Sequence, residues 1–264
     1  MPSCLAIFAH PDDVEYFAAG TMLQLAKRGW DLHYFDLCAG NGGSVQMDGP
    51  TTATVRLAEA QEAARILGAK FYPPVVNDMT LTFDIEVMRK VAAVIRQTRA
   101  DIVLTHALSD YMEDHMACAR LATSAAFTHG MPNYDTVPPA TPYAHDVTIY
   151  HAMPHGLHDP LRRRVVAGAW VDTTAVHARK LEALACHESQ HGWLQSSQGM
   201  NSYLREMERM SLEMGRRSRR FRHAEGWRRH AHMGLGPAGA DPLREALGRR
   251  HRVNAAYART LEHA

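Results

Sequence analysis

The chain opens on an unbroken apolar run over residues 4–9, which stops at His10-Pro11-Asp12-Asp13. From Val14 to Arg28 apolar positions then recur at helical spacing, up to Gly29. The run predicts a buried strand and the periodic stretch an amphipathic helix. The alternation continues. Residues 31–38 predict a second strand, followed by the loop Ala39-Gly-Asn-Gly-Gly-Ser44. Residues 54–67 predict a helix with Ala60, Ala63, Ala64 and Leu67 on one face and Gly68 as its cap. Residues 70–76 predict a short strand, which Pro73 and Pro74 assign to a sheet edge or a strand end. A helix capped by Asp84 runs to Arg99, residues 101–105 form a strand, and residues 115–127 a helix. Beyond Gly130 the rhythm loosens. Residues 131–145 read as a loop rich in Pro and Tyr, 146–153 and 165–171 as strands, 174–187 and 194–222 as helices, and the tail from Asp241 as helical. This order argues for an α/β fold: a doubly wound, mostly parallel sheet flanked by helices, with a helical C-terminal extension. Residues 1–236 are expected as one domain, with a hinge at 237–240 that detaches only the tail 237–264.

Composition narrows the function classes. At 264 residues and 46% hydrophobic, the chain has material for a large core, and its net charge of +1 provides no global field for nucleic acid or an anionic membrane. The run at 4–9 is too short for a signal-peptide core or a membrane span. Cys4, Cys38, Cys118 and Cys186 contain no C-x-x-C pair and fit buried small side chains in a reducing compartment, so a cytoplasmic protein is expected. Histidine is the departure: there are 17 of them, and imidazole is the commonest metal ligand. The glycines at 40–43 follow the second strand, whereas a dinucleotide fingerprint follows the first, so they read as a flexible active-site loop. The arginines at 216–222 read as a solvated or inter-subunit helix face.

The densest chemistry lies where the first strand turns into the first helix, at Ala9-His10-Pro11-Asp12-Asp13-Val14-Glu15. In doubly wound sheets ligands sit at the carboxyl ends of strands, near the point where strand order reverses. His10 and Asp13, three apart, can converge on one point, and a catalytic zinc needs three protein ligands and an open water position. Asp12, between them, points elsewhere and is free to act as a base. The strand at 101–105 leads into a second such loop, with His106, Asp110, Tyr111, Glu113, Asp114 and His115. His115 opens the next helix and is the third candidate ligand, with Asp114 as a carboxylate to hold an imidazole from behind. The alternative for His10 and Asp13 alone is helix capping beside a hydrogen-bonded histidine.

These residues resemble the LmbE-like, PIG-L zinc deacetylases. The family's A-H-P-D-D-x-E is matched by Ala9 to Glu15, and its T-H…D-[YR]-H-x-D-H by Thr105, His106, Asp110, Tyr111, Asp114 and His115. Arg56, Glu59, Ala63, Ala64, Leu67 and Gly68 match R-x-x-E-x-x-x-A-A-x-x-L-G, and Asp78 sits where the family has an Asp in a short turn. Weaker echoes follow at Val171 to Thr174, His187 to Gln190 and Ala224 to Gly226, so the likeness runs over about residues 3–230. The resemblance implies a Rossmann-like scaffold with zinc, or another divalent transition metal, on His10, Asp13 and His115. It implies Asp12 as general base and Arg56 and Asp78 as substrate contacts. The implied reaction removes an N-acyl group, typically the N-acetyl of N-acetylglucosamine in a small-molecule glycoconjugate, and closed homo-oligomers are implied as well. One departure stands out. Many members carry a histidine three residues before the last ligand, as acid or oxyanion partner, and here that place is Met112, with His106, Tyr111 or a C-terminal histidine as candidate replacements. An amidase acting on a thiol conjugate, or a metal-retaining binding protein without catalysis, are the alternatives this departure keeps open.

Overall fold

The computed structural model describes residues 1–190, 193 and 203–262. One eight-stranded sheet in the order β3-β2-β1-β4-β5-β7-β6-β8 carries the fold. Its parallel part comprises β1 (Ser3–Phe8), β2 (Asp31–Asp36), β3 (Lys70–Tyr72), β4 (Ile102–Thr105) and β5 (Thr148–Ala152). The remaining strands, β6 (Ala169–Asp172), β7 (Ala224–Arg229) and β8 (His251–Val253), join antiparallel. All six residues of β1 are buried, as the continuous apolar run requires of a central strand covered on both faces. From β1 the chain moves outward to β2 and the edge strand β3, then crosses back to β4 on the other side of β1. The switch point, where ligands bind in such sheets, therefore lies between the carboxyl ends of β1 and β4. The parallel strands, the crossover helices and the edge position of the strand before Pro73 agree with the sequence pattern.

Helices cover both faces. These are α1 (Asp13–Phe17), α2 (Ala19–Ala26), α3 (Gly49–Leu67), α4 (Ile85–Thr98), α5 (Glu113–Phe127), α6 (His177–Ala185), α7 (Tyr203–Ser218), α8 (Pro242–Leu247) and α9 (Ala255–Glu262). Two apolar layers result, one holding Phe8, Phe17, Met22, Tyr34, Tyr150 and Trp227, the other Ile7, Phe35, Val91, Ile95, Leu121 and Ile149. No helix of the described residues is long and apolar enough to cross a membrane.

The structure departs from the sequence reading in four places. The helix expected over 14–28 is broken at Ala18 into α1 and α2. Glu225 of β7 causes the restart: its carboxylate accepts from Gly20 N (2.8 Å), Thr21 N (2.7 Å) and Thr21 Oγ1 (2.6 Å), satisfying first-turn amides that a helix leaves unpaired. Gly20 is required there, because a Cβ would stand 2.4 Å from Thr173 Cγ2 and 2.7 Å from Glu225 Oε1. β7 was not expected as a strand, since Ala-Glu-Gly-Trp-Arg-Arg has no clean alternation; it forms because it pairs with β5 on one side and β6 on the other. The tail is not helical throughout: β8 pairs with β6, and Leu243 and Leu247 of α8 are fully buried in the main core. Of the helix expected over 194–222, residues 194–202 lie outside the described residues, and α7 stops at Ser218.

Lys180 completes the Glu225 cluster, its Nζ donating to Glu225 Oε1 (2.6 Å) and Tyr16 O (2.9 Å), with both side chains buried. Removing one member strands the other's charge, so Lys180→Met should cost about 3–5 kcal/mol in urea unfolding, and the double variant Lys180→Met/Glu225→Gln clearly less than the sum of the two single changes. Additive losses would show that the pair does not join α6 to β7.

Candidate active site

The loops after β1 and β4 meet at the switch point. Asp12 adopts φ 112°, a left-handed conformation that a residue other than glycine seldom takes, and its carbonyl oxygen receives Tyr16 N to start α1 (2.9 Å). The strained turn sends the neighbouring carboxylates of Asp12 and Asp13 to different partners. Asp13 Oδ2 accepts from His10 N (2.8 Å) and lies 3.3 Å from His10 Nδ1, 3.5 Å from His115 Nε2 and 3.2 Å from His106 Nε2. Each of the first two rings is held on its far side by its own carboxylate: His10 Nε2 by Asp114 Oδ2 (3.1 Å), and His115 Nδ1 by Asp110 Oδ1 (3.0 Å). Asp114 Oδ2 also accepts from Met79 N (2.7 Å).

Burial alone would raise the Asp13 pKa, but His115, His106 and His10 hold it well below the usual carboxylate range. Burial opposes a charge on His10 as well, yet hydrogen bonds to Asp114 and Asp13 raise its pKa well above the ordinary histidine value. The cluster thus calls for positive charge at one point. His10, Asp13 and His115 present donor atoms within 4.8 Å of one another, and all three line one cavity of about 250 Å³. The overlapping sets His10-Cys38-Asp114 and His106-Asp110-His115 meet the same distance, but Cys38, His106, Asp110 and Asp114 lie behind the cavity lining. Two imidazoles and a carboxylate, each imidazole backed by a second carboxylate, fit a divalent transition metal with an open position. A separate group, His177, Glu208 and His223, meets the same distance outside this cavity, with its two rings stacked at 3.7 Å and 19°.

Asp12 lines the same cavity, with Oδ2 3.4 Å from Arg56 Nη2, and Tyr203 hydrogen-bonds its carboxylate. Burial pushes its pKa up to about 6, against the pull of Arg56. Arg56 and Asp78 also line the cavity, and their hydrogen bonds run to the loop at 40–43. Arg56 donates to Gly40 O (3.3 Å) and to Pro11 O, while Asp78 accepts from Gly40 N (2.7 Å) and Gly42 N (2.9 Å). Gly40 has φ +74°, and a Cβ there would stand 2.7 Å from Arg56 Cδ, so the glycine loop lies directly on the guanidinium arm.

His106 is buried behind the cavity, where its Nε2 accepts from Ala9 N (3.0 Å) and burial lowers its pKa to about 4. That bond leaves Nε2 no proton to give, so His106 does not replace the missing histidine. Met112 lines the cavity as a thioether at the start of α5. Several wall residues are not among the candidate site residues of the sequence: Tyr16, Phe17, Met79, His155, Trp193, Tyr203 and Gln190, the last named there only within a motif. His155 opens the 3₁₀ turn His155–Leu157 after β5, and its nearest signal in sequence is that residues 146–153 were expected as a strand; that β5 lies beside β4 is seen in the structure.

Comparison with known proteins agrees with this arrangement. The family described as PIG-L: GlcNAc-PI de-N-acetylase matches residues 5–126. The 4-oxalmesaconate hydratase of Pseudomonas putida is 27% identical over 200 residues, which cover 72% of this chain and 75% of the relative. Two solved structures share the fold. The 4-carboxy-2-hydroxymuconate hydratase of Pseudomonas putida KT2440 has a TM-score of 0.72 at 23% identity over 87% of this chain and 96% of that one. The N,N'-diacetylchitobiose deacetylase of Pyrococcus horikoshii has 0.71 at 23% identity over 86% and 83%. The A-H-P-D-D-x-E turn and the second acidic loop both lie within residues 5–126, the stretch that matches the PIG-L family.

Proposed function

We propose that the protein is a metal-dependent hydrolase that removes an N-acyl group, in the first instance acetyl, from an amino sugar or sugar conjugate. The observation that carries this reading is the placing of Asp12, a carboxylate held by Arg56, in the same cavity as the convergent His10, Asp13 and His115. His10, Asp13 and His115 would hold a divalent metal, zinc in the first instance, which would supply Lewis acidity and lower the pKa of the attacking water. Asp12 takes a proton from that water and hands it to the leaving amine; a pKa near 6 suits a base working close to neutrality. Tyr16, Phe17, Trp193 and Tyr203 give the cavity an apolar wall that excludes bulk water and fits a ring face. Arg56 and Asp78, by holding the loop at 40–43, set the opposite rim against which the substrate rests.

A second reading, addition of water to an unsaturated carboxylate, is favoured by the 27% identity to a hydratase. It uses the same base and the same three donors. Against it, Arg56 is the one arginine among the described lining residues, and it is already engaged by Asp12 and two backbone carbonyls. A panel of N-acetyl amino sugars, thiol conjugates of amino sugars and unsaturated di- and tricarboxylates, assayed with and without chelator, separates the readings. Chelator-sensitive release of acetate is the expected result, and turnover of the carboxylates alone would favour the hydratase.

Asp12→Asn should lower kcat by about 10²–10⁴-fold while metal content stays at the wild-type level; undiminished turnover would remove Asp12 as the base. Asp110→Asn and Asp114→Asn should each weaken metal affinity by about 10–100-fold, read by competition with a chromogenic chelator, because they orient the two histidines from behind. Wild-type affinity in both variants would place the metal elsewhere.

A further inference from the structure

We infer that His155 donates the hydrogen bond that holds the substrate's carbonyl oxygen as it gains negative charge. The inference rests on the hydrolase reading above. Such a reaction needs a fixed donor aimed at the developing oxyanion. Met112, which lines the cavity just before α5, carries a thioether and has no proton to donate.

Several other donors around the cavity have partners. His10 and His115 are tied by Asp114 and Asp110, Gln190 Nε2 donates to Gly43 O (3.2 Å), and Tyr203 bonds Asp12. Among the described lining residues, two buried side-chain polar atoms lack a hydrogen-bond partner: Arg56 Nε and His155 Nε2. Arg56 Nε is covered by the loop, since a Cβ at Gly40 would stand 2.8 Å from it. His155 Nε2 is the atom left over, and a buried unpaired nitrogen on a cavity-lining residue is explained when the ligand supplies its partner.

Its placement suits the task. β5 is the neighbour of β4, so the turn that follows β5 overhangs the loop that carries Asp110 to His115. Pro154 precedes it at φ −64°, and the ring packs 5.2 Å from Tyr16 and 6.0 Å from Tyr111, which in turn stands edge-on to His115 at 5.5 Å. Tyr111 itself is 53% exposed at the cavity rim, a poorer position for a preorganised donor. Burial is the main cause lowering the His155 pKa, which keeps the ring neutral and able to donate without a charge of its own.

The test compares metal-loaded wild type with His155→Phe, His155→Gln and the double variant Met112→His/His155→Phe. His155→Phe should reduce kcat by about 10²–10³-fold with KM changed by no more than a few fold. His155→Gln, which keeps a donor, should retain part of the rate, and an imidazole returned at position 112 should restore about tenfold or more. A role in folding alone would give neither the split between kcat and KM nor the rescue. Acetate, titrated calorimetrically, reads the same contact without turnover: His155→Phe should bind it about tenfold or more weakly at equal metal content. Equal acetate affinity in wild type and His155→Phe, or no acetate binding by the wild type at tens of millimolar, overturns the assignment. His155-dependent acetate binding without any N-acyl cleavage by the wild type overturns the hydrolase reading and leaves the donor in place.

Discussion

Asp13 is the point on which the site depends. A carboxylate taken out of water is costly unless opposite charge and hydrogen bonds meet it, and here one oxygen has three imidazoles and a backbone amide within 3.5 Å. That requirement fixes much of the surrounding chain. His10 must turn back onto Asp13, which Pro11 and the left-handed Asp12 allow; His115 must start a helix at the end of β4; and Asp110 and Asp114 must stand behind the rings. The sheet meets these demands because β1 and β4 are neighbours in parallel register, with Ile7 opposite Thr105, so both loops leave the same edge at the same height.

A second polar layer lies under this one and explains residues that look catalytic in sequence. Glu15 is fully buried, accepts from Tyr34 OH (3.1 Å) and lies 3.2 Å from His187 Nε2. Asp36 sits nearby with no partner for either oxygen, and burial with the neighbouring carboxylates Glu15 and Asp13 raises its pKa far above the usual range. Glu15 and His187 therefore belong to the floor that supports the Asp12 turn, outside the cavity lining, and the last acid of the A-H-P-D-D-x-E motif is structural.

What the sequence made legible and what it hid divide along a physical line. The strands β1, β2, β4 and β5 and the crossover helices announce themselves through local period, and the two acidic loops through the density of donors at strand ends. β7 and β8 carry no such signal, because their place is decided by strand partners distant in sequence. Glu225 was visible as a motif residue, but its role at the start of α2 depends on contacts 204 and 205 residues away. His155 was one histidine among several after residue 150, and the adjacency of β5 and β4, joined to the cavity at position 112, is what gives it meaning.

The same division bears on chemistry. His10, Asp12, Asp13, Arg56, Asp78 and His115 all fall within residues 5–126, the stretch matched to the family, and together they make the cavity floor and one rim. His155, Gln190, Trp193 and Tyr203 lie beyond it and make the facing wall. As proposed, a floor of base and convergent donors would activate water in either reaction, hydrolysis of an amide or addition to a double bond. What differs between the two is where negative charge accumulates next: on a carbonyl oxygen, or along a conjugated carboxylate that needs cations around it. The wall decides that, and here it offers an imidazole and aromatic faces, while the cavity's one described arginine is already committed to Asp12 and the loop. On the reading proposed above, neutral, ring-shaped substrates with one reacting carbonyl are the class such a wall would accommodate.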